Sequence, residues 1–354
     1  ALAQRTGLRS ERLPNLDGLL MDPDRDRRSL LLTLATEMIL LRQTDDILRP
    51  TRSAIEWLQK SREAQLRALV DAWSRTFWNE LRHTPGLVAE GESWQNDPLL
   101  ARTALMDALP ADEHWYRLSD LIAVIRQQDP DFQRPDGNYE TWYIRDADTQ
   151  DYLSGFGDWD GVEGRLLRYL VQGPLYWLGM VELSATNAAD PTYRLTTRAL
   201  AWMGDEPPAA DEVRVPLVVQ PEGILLVPYN ASRYERFQAA RIADPEPLTP
   251  GKPYRYRIVP SSLAEAREQG ISPERMLQFL ESAGGRPVPT SVRRGITRWA
   301  EKGVEGRLQA VVTLRVGDAE ILETLRANPK TRDYLTEALG ELAVVIRQGD
   351  WENF

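Results

Sequence analysis

Apolar residues recur at helical spacing through most of the first 205 positions, and shorter alternating or continuous runs dominate the remainder of the chain. Leu30 to Leu41 is the longest apolar stretch, but Thr33, Thr36 and Glu37 interrupt it, which predicts a buried helix and not a membrane span. From Glu63 to Arg82, apolar side chains fall at Leu66, Leu69, Val70, Trp73, Phe77, Trp78 and Leu81, the i, i+3, i+4, i+7 stripe of an amphipathic helix. Asp97-Pro98 predicts a helix through Leu109, with Asp as cap and Pro at the first helical position. Ser119 is placed to cap another helix ending at Gln127 or Gln128, and a fourth covers Glu163 to Tyr176, ending by Gly179.

Two segments of this half share an outline. YRLTTRALAW (Tyr193 to Trp202) aligns without a gap on LRPTRSAIEW (Leu48 to Trp57), matching Arg194, Thr196, Ala199 and Trp202 with Arg49, Thr51, Ala54 and Trp57. Each comes after a helix, a short apolar strand and a polar turn and leads into a Trp-bearing helix, which Thr196 or Thr197 can cap in the later copy. Helix, helix, hairpin and closing helix in that order are the plan of a winged-helix domain, so the echo predicts two wings at related positions. The wording Tyr-Arg-Leu or Tyr-Arg-Ile returns at Tyr116 and Tyr256 as a strand-to-helix junction that needs no common ancestry.

A proline-rich acidic stretch, Met203 to Val213, separates this half from a differently patterned one. Apolar runs on either side of Gln220-Pro221-Glu222-Gly223 predict a hairpin. DPEPLTPGKP (Asp244 to Pro253) reads as a surface loop. Helices are expected at Ser262 to Gln269, Pro273 to Ser282, Thr290 to Lys302, Asp318 to Ala327 and Lys330 to Leu339, with strands at Leu308 to Val316 and Leu342 to Arg347. The expected fold class is α+β: a mainly helical first half with winged-helix units, then a mixed α+β domain. The expected domains are a partial winged-helix-like unit over 1–60, a helical winged-helix domain over 61–205, a linker at 206–213 and an α+β domain over 214–354.

Composition narrows the chemistry. With 354 residues, two or three domains are the default. Cysteine is absent, which removes disulfides and thiolate ligands and fits a cytoplasmic location. The first residue is Ala and no signal pattern comes after it, so a piece of a longer chain is expected. The net charge of −10 argues against indiscriminate nucleic-acid binding, yet it is unevenly spread. Residues 129–163 carry ten acids against two arginines, whereas residues 251–302 carry ten bases against five acids.

No nucleotide-binding loop occurs, since Lys60-Ser61 lacks the glycines that cradle phosphate, and Gly155-Phe156-Gly157 opens onto acids. His83 and His114 stand alone, too few for a zinc site or a Ser-His-Asp arrangement. The chain is therefore expected not to be an enzyme and to have no catalytic residues, no cofactor and no metal. The stretch Asp129 to Gly161 interleaves acids with aromatics. It reads as a loop pinned by its rings with acids toward water, and a catalytic carboxylate pair is the lesser alternative.

The basic segment is the candidate site. SPERMLQFLESAGGRPVPTSVRRGITRW predicts a helix, a Gly-Gly turn and a second helix that Thr290 or Ser291 can cap. Arg294 and Arg298 share a face of that helix, while Ile296 and Trp299 turn inward. The candidate nucleic-acid contacts are Arg286, Arg293, Arg294, Arg298 and Lys302; a solvated arginine-rich face is the competing explanation.

Over roughly 213–354 the chain resembles bacterial helicase-associated proteins related to the N-terminal domain of XPB-type helicases. The likeness rests on Tyr256-Arg257-Ile258, Ser262-Leu263, Ala266, Gly270, Phe279-Leu280, Pro289 and Trp299, with the hairpin VVQPEGILLVP upstream. It implies DNA association, in repair or beside a helicase, with DNA and a helicase or repair protein as partners and no membrane. It carries over no catalytic residue, because no motor motif is present. The expected function is a non-enzymatic DNA-binding or helicase-associated protein; the alternative is a protein-interaction scaffold built from winged-helix units.

Overall fold

Asp24 opens the first helix, α1 (Arg25–Glu37), its carboxylate accepting the Arg27 N–H at 2.7 Å. The structure is a computed structural model that describes residues 24–44, 47–91, 96–134, 136–186, 188–210, 213–302 and 311–346. Its contacts divide the chain into two units, Ala1–Ile296 and Thr297–Phe354. The architecture is mixed α+β, with helices among several small antiparallel sheets.

After α1 come the hairpin strands β1 (Leu41–Thr44) and β2 (Ile47–Pro50), then α2 (Arg52–Leu58) and α3 (Arg62–Trp73). The helix expected to reach Arg82 stops at Trp73, and the chain resumes as a tight turn over Glu80–His83. Strand β3 (Leu87–Ala89) and helix α4 (Pro98–Ala108) come next, the latter capped by Asp97 with Pro98 in its first turn. Arg102 of α4 explains the early stop. It is buried with Glu80, and its guanidinium donates to the carbonyls of Trp73 (2.5 Å), Thr76 (2.6 Å) and Trp78 (2.6 Å) and to both Glu80 oxygens (2.8 Å each). A continuing helix would direct the Trp73 and Thr76 carbonyls along its own axis. A buried charge needs such partners, and unwinding supplies them. His83 stacks on Trp78 at 4.2 Å, and its Nδ1 lies 2.8 Å from Asp26.

Strand β4 (Tyr116–Arg117) leads into α5 (Leu118–Gln128). Ser119 does not cap α5; Asp190, far along the chain, accepts both its N–H and its hydroxyl at 2.9 Å. Strand β5 (Ile144–Asp146) pairs with β3. Helix α6 (Arg165–Leu170) lies between wider π-type turns at Asp160–Gly164 and Val171–Leu175; the second contains Pro174, which has no N–H to offer the helix ladder. Strands β6 (Val181–Leu183) and β7 (Thr192–Leu195) and helix α7 (Thr197–Met203) complete this region, with the sheet ordered β4-β7-β6. A single hydrophobic cluster runs from Leu30 to Ala199, centred on Trp73, Trp159, Leu105, Leu118 and the apolar side of α6.

The sequence echo is a repeated joint. Leaving α1, Ile39 is left-handed (φ 56°); leaving the helical run that contains α6, Gly179 is left-handed (φ 71°). Met38 and Ile39 donate to Leu34 and Thr36, just as Leu178 and Gly179 donate to Pro174 and Tyr176. Leu40 donates to Ala35, and Met180 to Leu175. Across each hairpin, Thr51 N–H returns to Leu40 and Thr196 N–H to Met180, both at 3.0 Å. Each threonine hydroxyl then does two jobs. Thr51 donates to Ile39 and accepts from Ala54 N–H; Thr196 donates to Gly179 and accepts from Ala199 N–H.

The rest of the first unit comprises β8 (Val218–Val219), β9 (Ile224–Val227), α8 (Arg233–Ala240), β10 (Asp244–Pro245), β11 (Tyr254–Arg257), α9 (Pro260–Glu268) and α10 (Pro273–Gly284), with a sheet ordered β10-β11-β9-β8. Helix α11 (Thr290–Lys302) contains the division between units. In the second unit, β12 (Val312–Arg315) precedes α12 (Ala319–Ala327), which Asp318 caps. Residues 303–310, which include the start of the strand expected from Leu308, lie outside the described residues.

The expected helix from Lys330 to Leu339 is absent. A tight turn at Arg332–Tyr334 leads into strand β13 (Leu335–Ala338), which pairs with β14 (Ala343–Ile346). Val344, Val345 and Ile346 are buried between β12 and β13, and Thr336 donates to the Val345 carbonyl at 3.0 Å. The burial of this β-branched run and its two-sided pairing override the local preference.

Candidate nucleic-acid interface

The turn Gln220 to Gly223 closes the β8–β9 hairpin as expected, with Gln220 donating to Ile224 at 2.8 Å and Gly223 left-handed at φ 78°. Leu217 N–H reaches Ala283 of α10 at 3.1 Å, and the Ser291 hydroxyl donates to Pro221 at 2.8 Å. The hairpin thus ties down the end of α10 and the first turn of α11 together. Ser291, one of the two residues expected to cap α11, directs its hydroxyl to that hairpin. Helix α10 is capped by Ser272 and ends at Gly285, whose φ of 61° suits a residue without a Cβ. Met276, Leu280 and Ala283 of α10 are buried, as are Val288, Val292 and Ile296, so the polar faces point outward.

Arg286, Arg293 and Arg294 are exposed and lie in the first unit. Arg286 and Arg294 make no ion pair or hydrogen bond with another described residue through their side chains, whereas Arg293 is paired with Glu281 of α10. Arg298 is exposed and falls in the second unit; the Lys302 side chain lies outside the described residues. Three of the five candidates therefore share one unit, and two of those three hold uncommitted guanidinium groups.

Sequence reasoning missed the acids that neutralise nearby cations. Glu246 binds both Arg255 (2.7 Å) and Arg257 (2.6 Å), and these arginines hold its carboxyl below its ordinary value. Arg214 is paired with Glu235. It also missed an aromatic cluster beside α8, where Tyr229 and Tyr254 lie parallel and Arg236 covers Tyr254. The alternation in Tyr254-Arg255-Tyr256-Arg257 was the available signal: Tyr256 is buried, and Arg255 and Arg257 are exposed.

The acidic stretch follows the loop reading at some of its rings and not at others, since Tyr143, Tyr152 and Phe156 are exposed, and not at all its acids. Phe132, Tyr139 and Trp159 are buried, with Phe132 edge-on to Trp159. Asp146 is buried and binds Arg165 at 2.8 Å; the N–H groups of Thr149 and Asp148, then Arg165, hold its carboxyl low. Glu163 is buried against Arg134 at 2.8 Å, and burial pushes its carboxyl up against that cation's opposing pull. Trp142 and Tyr139 stand under the Arg134 guanidinium at 4.2 and 4.8 Å. These acids anchor loop to core.

A groove of about 300 Å³ separates α3 and α7 from the proline-bearing segment Glu206 to Ala209. Its cations are committed: Arg198 is bidentate to Glu63 (2.6 and 2.8 Å), and Arg67 binds Asp205 at 2.9 Å. Among the described residues, no group of three or more His, Asp or Glu side chains could hold a metal ion, and no helix is long and apolar enough to cross a membrane.

Residues 217–340, about a third of the chain, match the family described as a helicase conserved C-terminal domain. No curated protein matches the chain.

Proposed function

We propose that the chain is a helicase-associated nucleic-acid-binding protein that performs no chemistry of its own and works beside a helicase or repair partner on DNA. The observation that carries this reading is the helicase-domain match over residues 217–340, because the same residues contain the exposed arginines around α11. Arg286 and Arg294 supply cations without an internal counter-charge, suited to phosphate oxygens. In the same reading the two helix–hairpin–helix joints of the first half are wings of winged-helix units, and the C-terminal region has the plan of XPB-type N-terminal domains.

Fluorescence anisotropy with short duplex and single-stranded DNA at two salt concentrations tests it. Binding is expected at low salt and should fall steeply as salt rises. Replacing Arg286 and Arg294 together by Ala is expected to weaken binding about ten-fold and to flatten the salt slope by about 2, roughly one per lost phosphate contact. Absence of binding at low salt, or affinity unchanged in that double variant, overturns the proposal.

A protein-interaction scaffold is the second reading, favoured by the pairing of Arg214, Arg255, Arg257 and Arg293 with internal acids. Removing such a partner discriminates: Glu281→Gln frees Arg293 and is expected to tighten DNA binding about two- to five-fold, as one added phosphate contact would. A scaffold gains nothing from it.

A further inference from the structure

We propose that Tyr229, Tyr254 and Arg236 form a stacking platform for an unpaired base of single-stranded nucleic acid, an inference that rests on the nucleic-acid reading above and specifies the form of strand. Tyr229 comes after β9 in the turn before α8 and is 52% exposed. Its main chain is held in place, because Arg62 donates to the Tyr229 carbonyl at 3.0 Å. Tyr254 begins β11, and its ring is parallel to that of Tyr229 within 9°, with centroids 6.2 Å apart. Rings in direct face contact lie about 3.5 Å apart plane to plane. A centroid separation of 6.2 Å is therefore not full face-to-face contact, and Tyr229 remains exposed beside its neighbour.

The platform is also rigid and cationic. Arg236 sits 3.5 Å over the Tyr254 ring centre and is fixed there by donating from Nε to the Tyr256 hydroxyl at 3.1 Å. From Pro228 to Arg257 the chain carries six cations against three acids, in a protein whose net charge is −10. Glu246 is paired with two of those cations, Arg255 and Arg257, and Glu235 is bound by Arg214 from outside the segment. A flat exposed ring held by its backbone, with a guanidinium over the neighbouring ring and a local excess of cations, has the chemistry that single strands use: base on ring, backbone on cations. Paired bases inside a duplex cannot present a face to it.

The test titrates the full chain with a short fluorescein-labelled oligothymidylate, an abasic strand of equal length and a duplex. Tyr229→Ala is expected to weaken oligothymidylate binding about ten-fold while leaving the abasic strand and the duplex unchanged; Tyr229→Phe is expected to retain wild-type affinity. Far-UV circular dichroism checks that the variants fold. Equal oligothymidylate affinity of wild type and Tyr229→Ala overturns the platform. If binding then still depends on Arg286 and Arg294, only this inference falls; if the wild type binds none of the three probes, the nucleic-acid reading falls with it.

Discussion

The joint around Thr51 and the joint around Thr196 use the same hydrogen bonds but stand in different surroundings. The Thr196 hairpin gains a third strand, since β7 lies between β6 and β4, and Val181, Tyr193 and Leu195 are buried in the main core. Among the described residues the Thr51 hairpin has two strands alone, and Arg42, Gln43, Arg49 and Pro50 are exposed. A two-stranded ribbon in water is marginal without support. The left-handed residue differs too: Gly179 adopts that backbone freely, whereas Ile39 carries a β-branched side chain that disfavours it. One local plan thus serves as a core element in one place and a loosely supported edge in the other, and the plan itself does not decide which.

The largest effect should come from Gly179→Ala. A Cβ there would stand 2.6 Å from the Arg198 guanidinium, which donates to the Gly179 carbonyl and clasps Glu63. Backbone strain and the displaced ion pair together should destabilise by about 2 kcal/mol, read as a lower urea midpoint. Next is the pair of caps. Thr196→Ala should cost about 1.5 kcal/mol and Thr51→Ala about 0.5 kcal/mol, within the range for lost threonine caps. Equal losses in chemical denaturation would break the distinction between the joints. The smallest effect has the opposite sign: Ile39→Gly should stabilise by about 0.5 kcal/mol, because relief of the left-handed strain exceeds the added freedom of the unfolded chain. A loss of stability there would show that the exposed Ile39 side chain contributes packing that outweighs its strain.

Short-range features were legible. Asp97 with Pro98 and Thr196, one of two cap candidates there, mark helix starts in the sequence and in the structure, since a cap is set by groups two or three residues apart. The β8–β9 turn and the outward face of Arg293 and Arg294 were legible for the same reason. The failures involve distant partners. Helix α3 continues to Arg82 by periodicity, yet Arg102 claims the carbonyls beyond Trp73. Ser119 has the chemistry of a cap, yet it is held by Asp190. Leu335 to Ala338 has helical company in sequence, yet β14 recruits it as a strand. At the candidate site, exposure of Arg293 and Arg294 on α11 could be read from helical spacing, whereas Arg286 lies in the connection before that helix. The pairing of Arg293 with Glu281 joins two helices and could not be read that way.

The sequence alone determined the α+β class, the strand-to-helix wording of both joints, and the concentration of cations in 251–302, because each depends on residues within a few positions of one another. Tertiary structure decided which joint is buried, where α3 ends, which arginines are neutralised, and that Tyr229 and Tyr254, well apart in sequence, lie parallel. Those outcomes rest on desolvating charges and rings against distant partners, and the energy of such contacts depends on a geometry that local patterning does not encode.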